Sequence, residues 1–287
     1  MLWEIERILQ AKVGSPLVID RLTSRGGPGS FKVSGPQGTG VFKRGVAERE
    51  RMFYKFWARR LSGDLRVPKL LDSGTDPAPW IFLEFLPWVL PRDQWRYNPA
   101  IVRYLSQFHE TSPQIFNVAS DGYRFVWDDA LTADAIMGFG IREKQTMSAI
   151  LAIMQGYSHN HLLFHPITVI HGDPNPTNWV LDTAQHIALI DWSRYGWAHP
   201  AIDLAIAIPG LPNRQEVEWM ANTYARLGPQ KRAGQSLADL ILAAKLWSCV
   251  EFLAMNTRGE LSEGADEGAQ YLKTELPAWI HQTFEAI

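Results

Sequence analysis

Asp173, Asn178 and Asp191 stand in that order in VIHGDPNPTNWVLDTAQHIALIDW, the stretch from Val169 to Trp192. Carboxylate and carboxamide oxygens are hard donors of the kind Mg2+ prefers, and a further carboxylate can orient a hydroxyl and take its proton. An acid, an amide and a second acid therefore meet what phosphoryl transfer asks of a protein, which is positioning and charge neutralisation more than covalent chemistry. The elements that must hold them are short. Trp179-Val180-Leu181 and the apolar run Ile187 to Ile190 predict two strands, with the turn-like Asp182 to His186 between them. Such a hairpin returns the chain on itself, so residues just before the first strand and just after the second share one small volume.

The spacing His171-Gly172-Asp173-x-x-x-x-Asn178, followed by Ile190-Asp191-Trp192, fits the protein-kinase pattern of a catalytic loop and a later metal-binding aspartate, except that Gly172 stands where that loop has arginine. With this glycine the segment resembles the aminoglycoside phosphotransferase and choline kinase superfamily of small-molecule kinases. The resemblance runs from about Val18 to Ala205. It implies an α+β, bilobal, protein-kinase-like fold with a small β-rich N-terminal lobe and a larger, mostly helical C-terminal lobe. It also implies Asp173 as the catalytic base, Asn178 and Asp191 as Mg2+ ligands, and His171 as a residue that orders the loop. Because a carboxylate beside magnesium has its pKa held low, Asp173 is expected mainly to orient the hydroxyl, the proton leaving late. Gly196 and Asp203 match the family's glycine and Asp-Leu-Ala, which makes Asp203 structural, either accepting hydrogen bonds from the catalytic loop or capping the helix that follows. His109 resembles the end of the family's Leu-x-x-Leu-His helix and reads as a packed core histidine.

Upstream, Arg25-Gly26-Gly27-Pro28-Gly29-Ser30 falls between two predicted strands, where small residues let backbone N–H groups approach an anion. Gly27, Gly29 and Ser30 are the candidate phosphate contacts. The loop is not a Walker A motif, since no Gly-Lys-Ser/Thr ending precedes a helix. Lys43 ends the strand Gly40-Val41-Phe42 where the kinase pattern has a lysine for the α- and β-phosphates. Its helix partner is expected to be Glu50, with Glu48 as the alternative. The run Trp80 to Pro87 looks like the family's strand and hinge, with backbone around Glu84, Phe85 and Leu86 facing the nucleotide base. Such contacts barely constrain side chains, so ATP and GTP both stand as donors.

With 287 residues, 46% hydrophobic and 20% charged, the chain is long enough for a substantial core and has an ordinary globular composition. A formal charge of −2 makes no case for nucleic acid or membrane as a partner. The single Cys249 cannot form an intrachain disulfide and suits a reducing cytoplasm. Acids at Glu4 and Glu6 argue against a signal peptide and the helical spacing of Leu2, Ile5, Ile8 and Leu9 predicts a helix; Asp239, Lys245 and Glu251 interrupt the apolar run Leu237 to Met255.

The pattern changes near residue 87. Before it the expected elements are strands at Leu17 to Leu22, Phe31 to Ser34, Gly40 to Arg44 and Trp80 to Phe85, with a helix from Ala47 to Leu61; beyond Pro91 the chain reads as mostly helical. Residues 1–86 form the expected nucleotide lobe and 87–287 the catalytic and acceptor lobe, with net charges of +5 (14 basic, 9 acidic) and −7 (14 basic, 21 acidic). A basic lobe against an acidic one suits a cleft with phosphates on one side and a cationic, hydroxyl-bearing small molecule on the other. In the superfamily the acceptor site is built from the last helices and from the segment Asn98 to Ile150. Acids and tryptophans there, among them Trp127, Asp128, Asp129, Asp134, Glu216, Glu218, Trp219, Trp247, Glu251, Glu260, Glu263, Asp266 and Glu267, can attract amines or face a quaternary ammonium, or can be solvated and core residues. The first reading of the acceptor is an aminoglycoside or similar antibiotic. A metabolite such as choline, a sugar or an amino alcohol is the second, and a nucleotide-binding pseudokinase without turnover is the competing class. The complete set of Lys43, Asp173, Asn178 and Asp191 argues against the pseudokinase, and Gly172 with a short segment after Asp191 argues against a protein kinase.

Overall fold

The computed structural model describes residues 2–22, 29–61, 65–116, 122–139, 144–160, 162–228, 234–261 and 265–284. Helix α1 (Leu2–Val13) buries Ile5, Leu9 and Val13, the i, i+4 stripe of an amphipathic helix, and leads into strands β1 (Val18–Leu22), β2 (Ser30–Gly35) and β3 (Gly38–Arg44). Helix α2 (Glu48–Met52) follows. Strands β4 (Leu70–Gly74) and β5 (Trp80–Glu84) complete an antiparallel sheet of order β1-β2-β3-β5-β4, and α1 packs its stripe on Val33, Phe42, Trp80 and Phe82 of that sheet in a small core of its own.

Two expectations change here. The helix foreseen from Ala47 to Leu61 is α-helical only to Met52, then loosens into a π turn over Phe53–Trp57 and tightens into a 3-10 turn over Ala58–Arg60. The rewound turn buries the neighbours Phe53 and Tyr54 together, which places Phe53 on the large core. Strand β4 was not foreseen. It is an edge strand with a bulge between Leu70 and Asp72, and its polar Asp72 and Ser73 break the alternation that marks a half-buried strand.

Beyond the hinge, β6 (Trp88–Val89) leads to helices α3 (Pro99–Ile115), α4 (Asp129–Phe139) and α5 (Lys144–Asn160). The hairpin β8 (Trp179–Leu181) and β9 (Ile187–Leu189) forms as expected, and β6 adds to its β8 edge. Asp182 closes the turn by accepting from the N–H groups of Ala184 and His186, each at 2.9 Å. Strand β7 (Thr168–Ile170) pairs with β10 (Gly196–Ala198), so the loop after β7 lies against the segment before β10. Helices α6 (Ala201–Ala207), α7 (Arg214–Leu227), α8 (Gly234–Thr257) and α9 (Ala265–Phe284) complete the chain.

Helix α8 runs through the helical core and contacts α4, α6, α7 and α9. It is buried on most sides, which is why its sequence lacks a helical stripe. Gly138 lets α4 approach it closely, because a Cβ there would lie 1.7 Å from Thr257 Oγ1. Among the described residues no helix is long and apolar enough to cross a membrane.

Candidate active site

The loop after β7 is built from the backbone outward. Gly172 has φ +83°, and a Cβ there would lie 2.3 Å from the carbonyl oxygen of Arg194. Glycine at this point of the motif is therefore a packing requirement as well as a conformational one. Asp203, fully buried in α6, accepts from the N–H of His171 at 2.8 Å and of Gly172 at 2.7 Å. It holds the loop and does not cap its own helix, whose N-cap is Pro200. His109 bridges Asp203 and Tyr224, each at 2.9 Å, as a satisfied core histidine.

His171 ties this loop to the next one. Its Nδ1 accepts from the N–H of Asp173 at 3.2 Å, which assigns the proton to Nε2, and Nε2 donates to the carbonyl of Ile190 at 3.1 Å. Burial pushes its pKa down to about 4, so the ring is a neutral strut between the residues that flank the two aspartates.

Asp173 and Asn178 are fixed to each other. The Asn178 amide donates to the Asp173 main-chain carbonyl at 2.8 Å and to Oδ2 at 3.3 Å, while Asn175 donates to Oδ1 at 3.0 Å. With its NH2 group so engaged, Asn178 keeps its side-chain oxygen for another partner. Burial pushes Asp173 up to about 6, against the pull of the Arg194 charge and the Asn175 hydrogen bond. The protein groups alone thus raise this carboxyl, opposite to the lowering expected from a bound cation.

Asp191 joins them because the N–H of Ile190 donates to the Asn178 carbonyl at 3.0 Å, clamping the end of the hairpin to its beginning. Its backbone is left-handed, φ 64° and ψ 68°, a strained geometry for a non-glycine residue that clusters at functional sites. Trp192 anchors the turn, stacked on Phe53 with ring centroids 4.0 Å apart and donating to the Leu189 carbonyl at 3.0 Å.

From the sheet, Lys43 reaches Glu50 Oε1 at 2.5 Å and Asp191 Oδ1 at 3.5 Å. Of the two helix acids, Glu50 is therefore the partner, whereas Glu48 pairs with Arg51 near the surface. Burial works against the Lys43 charge, but Asp191 and Glu50 override it and hold its pKa well above the usual lysine range. Burial also opposes ionisation of Asp191, yet Lys43 draws its pKa below the normal aspartate value. Ser30 sits opposite Lys43 in the β2–β3 register, with Gly29 just before it; Gly27 lies outside the described residues.

At the hinge, the N–H of Glu84 donates to the Lys69 carbonyl at 2.9 Å and its carboxylate binds Arg66 at 2.6 Å. The Glu84 N–H is thus a sheet donor, which leaves the other main-chain groups around Glu84, Phe85 and Leu86 for a base. Phe85 lies under Lys32, with the ammonium 5.0 Å from the ring centroid, and Leu86 is half-buried.

The acceptor-side residues separate in the same way. Trp127 and Trp247 are core residues that donate to Thr132 Oγ1 and the Val126 carbonyl. Glu251 is paired with Arg194, Glu216 with Arg96, Glu218 with Arg214 and Asp134 with Arg258, while Asp128 accepts from the Leu131 N–H. Asp129, Asp266 and Glu267 are exposed, Glu260 is likewise at the surface, and Glu263 lies outside the described residues. Two groups beside Asp173 escaped the reading of the sequence. Asn175 had a signal, an Asn-Pro turn; Arg194 had none, because its place beside Asp173 depends on how β10 pairs with β7.

Among the described residues no cluster of three or more His, Cys, Asp or Glu could hold a metal ion by itself. The oxygen pair of Asn178 and Asp191 nonetheless fits Mg2+, which is commonly held by one or two protein ligands and completes its shell with phosphate oxygens and water.

A family model described as a phosphotransferase enzyme family matches residues 41–240. No curated protein matches the chain by sequence. Solved structures similar in fold include a thermostable mutant of aminoglycoside phosphotransferase APH(4)-Ia in ternary complex with AMP-PNP and hygromycin B, at TM-score 0.64 and 16% identity over 98% of this chain and 99% of that one. The amicoumacin kinase hAmiN, in complex with AMP-PNP, Ca2+ and amicoumacin, superposes at TM-score 0.62 with 14% identity over 98% and 99%. The AMP-bound spectinomycin phosphotransferase APH(9)-Ia gives TM-score 0.62 and 16% identity over 98% of each chain. At these identities the likeness establishes the bilobal, kinase-like α+β fold.

Proposed function

The chain belongs to the phosphotransferase enzyme family, and from that premise we propose that it is a small-molecule kinase that moves the γ-phosphate of a nucleoside triphosphate to a hydroxyl group. The observation that carries this reading is the meeting of Lys43 from β3, Glu50 from α2 and Asp191 after β9, with the Asp173–Asn178 pair tied to Asp191 through the Ile190–Asn178 backbone hydrogen bond. In this reading residues 1–86 hold the nucleotide and 87–287 supply catalysis and the acceptor site.

Asp173 is the catalytic residue. Held by the Asn175 and Asn178 amides, its carboxylate orients the acceptor hydroxyl and receives its proton. Lys43, kept charged by Glu50 and Asp191, contacts the donor phosphates, with Ser30 beside it on the neighbouring strand and Gly29 just before as backbone contacts; Gly27, outside the described residues, completes the proposed set. Phe85, Leu86 and the remaining main chain of the hinge face the base. Asn178 and Asp191 would hold Mg2+, which when bound neutralises phosphate charge. His171 and Asp203 position the loop and exchange no proton with substrate.

ATP is the favoured donor, since the similar kinases were solved with adenine nucleotides. The same relatives favour an aminoglycoside or similar antibiotic as acceptor. The pairing of Glu216, Glu218, Glu251 and Asp134 with arginines leaves fewer carboxylates for a polyamine and supports, as the second reading, a metabolite with one positive charge or none, such as choline, an amino alcohol or a sugar.

The test is mass spectrometry of a mixed panel, comprising hygromycin B, spectinomycin, choline, sugars and amino alcohols, incubated with the protein, Mg2+ and either ATP or GTP. A phosphoryl mass gain on one acceptor, lost with Asp173→Ala, is the expected result. Nucleotide binding without any gain across a widened panel would instead favour the pseudokinase.

A further inference from the structure

Arg49 lies between the two acids of α2, one ion-paired with Arg51 and the other with Lys43, and its charge bears on Glu50 without a direct ion pair to it. Its Nε donates instead to the main-chain carbonyl of Ser193, two residues beyond Asp191. Its guanidinium carbon sits 5.2 Å from the centroid of the Tyr123 ring, and that ring also carries Arg194 at 4.4 Å. The Tyr123 hydroxyl donates to Glu251 Oε1 of α8 at 2.9 Å, while Arg194 binds the other Glu251 oxygen. The Tyr123 N–H is tied in turn to the Tyr195 carbonyl at 2.7 Å.

Beside the stack of Phe53 on Trp192, the helix that carries Glu50 is thus linked to the loop that carries Asp191 at two polar points. One is the Lys43 bridge between the two acids; the other is Arg49 on Ser193, seated on Tyr123. An apolar stack is weakly directional, so one polar link beside it leaves the two elements free to turn, and a second directional link fixes the angle. We propose that Arg49, seated on Tyr123, is a positioning residue that sets the orientation of the Asp191 loop relative to Lys43 and Glu50, and so the productive binding of nucleotide with its metal. The proposal rests on the kinase reading for its meaning but not for its measurement.

The experiment is calorimetric titration of Mg2+ with AMP-PNP into wild type, Arg49→Ala, Tyr123→Ala, Tyr123→Phe and the double alanine variant, with thermal melting of each protein recorded alongside. Arg49→Ala and Tyr123→Ala should each weaken Mg2+-dependent nucleotide affinity about tenfold, the size of one lost charge-assisted contact. The double variant should be little weaker than the worse single one, since both remove the same strut. Tyr123→Phe keeps the ring under Arg49 and should stay close to wild type. Unchanged affinity in Arg49→Ala, or losses that add in the double variant, would overturn the proposal, as would a fall in melting temperature alone. Should wild type bind nucleotide yet phosphorylate nothing, the kinase reading fails while the affinities still decide the role of Arg49.

Discussion

In the proposed kinase, Asp173 is the position where substitution should separate binding from chemistry. Its carboxylate touches Asn175 and Asn178, and it makes no direct contact with Lys43. Asp173→Asn should lower turnover by about 10²- to 10⁴-fold, the range for a lost general base. Nucleotide affinity should change only a few-fold, so turnover assays paired with calorimetry distinguish this outcome from a misfolded loop. Gly172→Ala should act through structure instead. A left-handed backbone costs a non-glycine residue about 1–3 kcal/mol, before the contact with the Arg194 carbonyl is counted. The variant should melt several degrees lower and lose turnover together, and a fully stable, active Gly172→Ala would contradict this account. At this scale the type and order of His171, Gly172, Asp173, Asn178 and Asp191 were legible, because the spacing across a hairpin is a local matter. The left-handed φ of Asp191 was not, since nothing in the residue type or local spacing marks it.

Helix α8 carries a buried lysine whose behaviour belongs to the element. Lys245 donates to the Ile208 carbonyl at the end of α6, at 2.7 Å, and burial pulls its pKa down to about 8. Cys249, one turn on, is pushed up to about 11 by burial, and the charge of Arg96 also bears on Lys245. Between pH 8 and about 9 the unfolded lysine still binds its proton while the folded one is losing it, so stability rises with pH. From about pH 8 the unfolded thiol also begins to ionise while the folded one keeps its proton, so the cysteine subtracts from that rise. Chemical denaturation from pH 7.5 to 9 should therefore show the rise in wild type and its absence in Lys245→Met; an identical slope in both would exclude Lys245 as the cause. The elements themselves were partly readable. The hairpin, α1 and the central strands follow from local apolar pattern. Edge strand β4 and the π turn after Met52 do not, because pairing with β5 and burial of Phe53 and Tyr54 decide them.

For the molecule as a whole, a ligand that bridges two lobes stabilises the folded state by mass action. At about one hundred times its Kd, nucleotide with Mg2+ should add about 2.7 kcal/mol, a shift of several degrees in melting temperature. Asp191→Ala should lose most of that shift, and EDTA should remove it from wild type; an equal shift without Mg2+ would show that Asn178 and Asp191 hold no metal in nucleotide binding. What the sequence alone determined about this protein is its phosphotransferase class and the candidate set proposed to react, since residue type and near-neighbour spacing are encoded locally. The tertiary structure decided which helix acid serves Lys43, which acids are already spoken for by arginines, and that Arg49, Tyr123, Arg194 and Glu251 meet beside the site. Apart from Lys43–Glu50, seven positions apart, and Arg214–Glu218, one helical turn apart, those pairings join residues tens to more than a hundred positions apart. Their geometry is set by packing across the core, which no local pattern records.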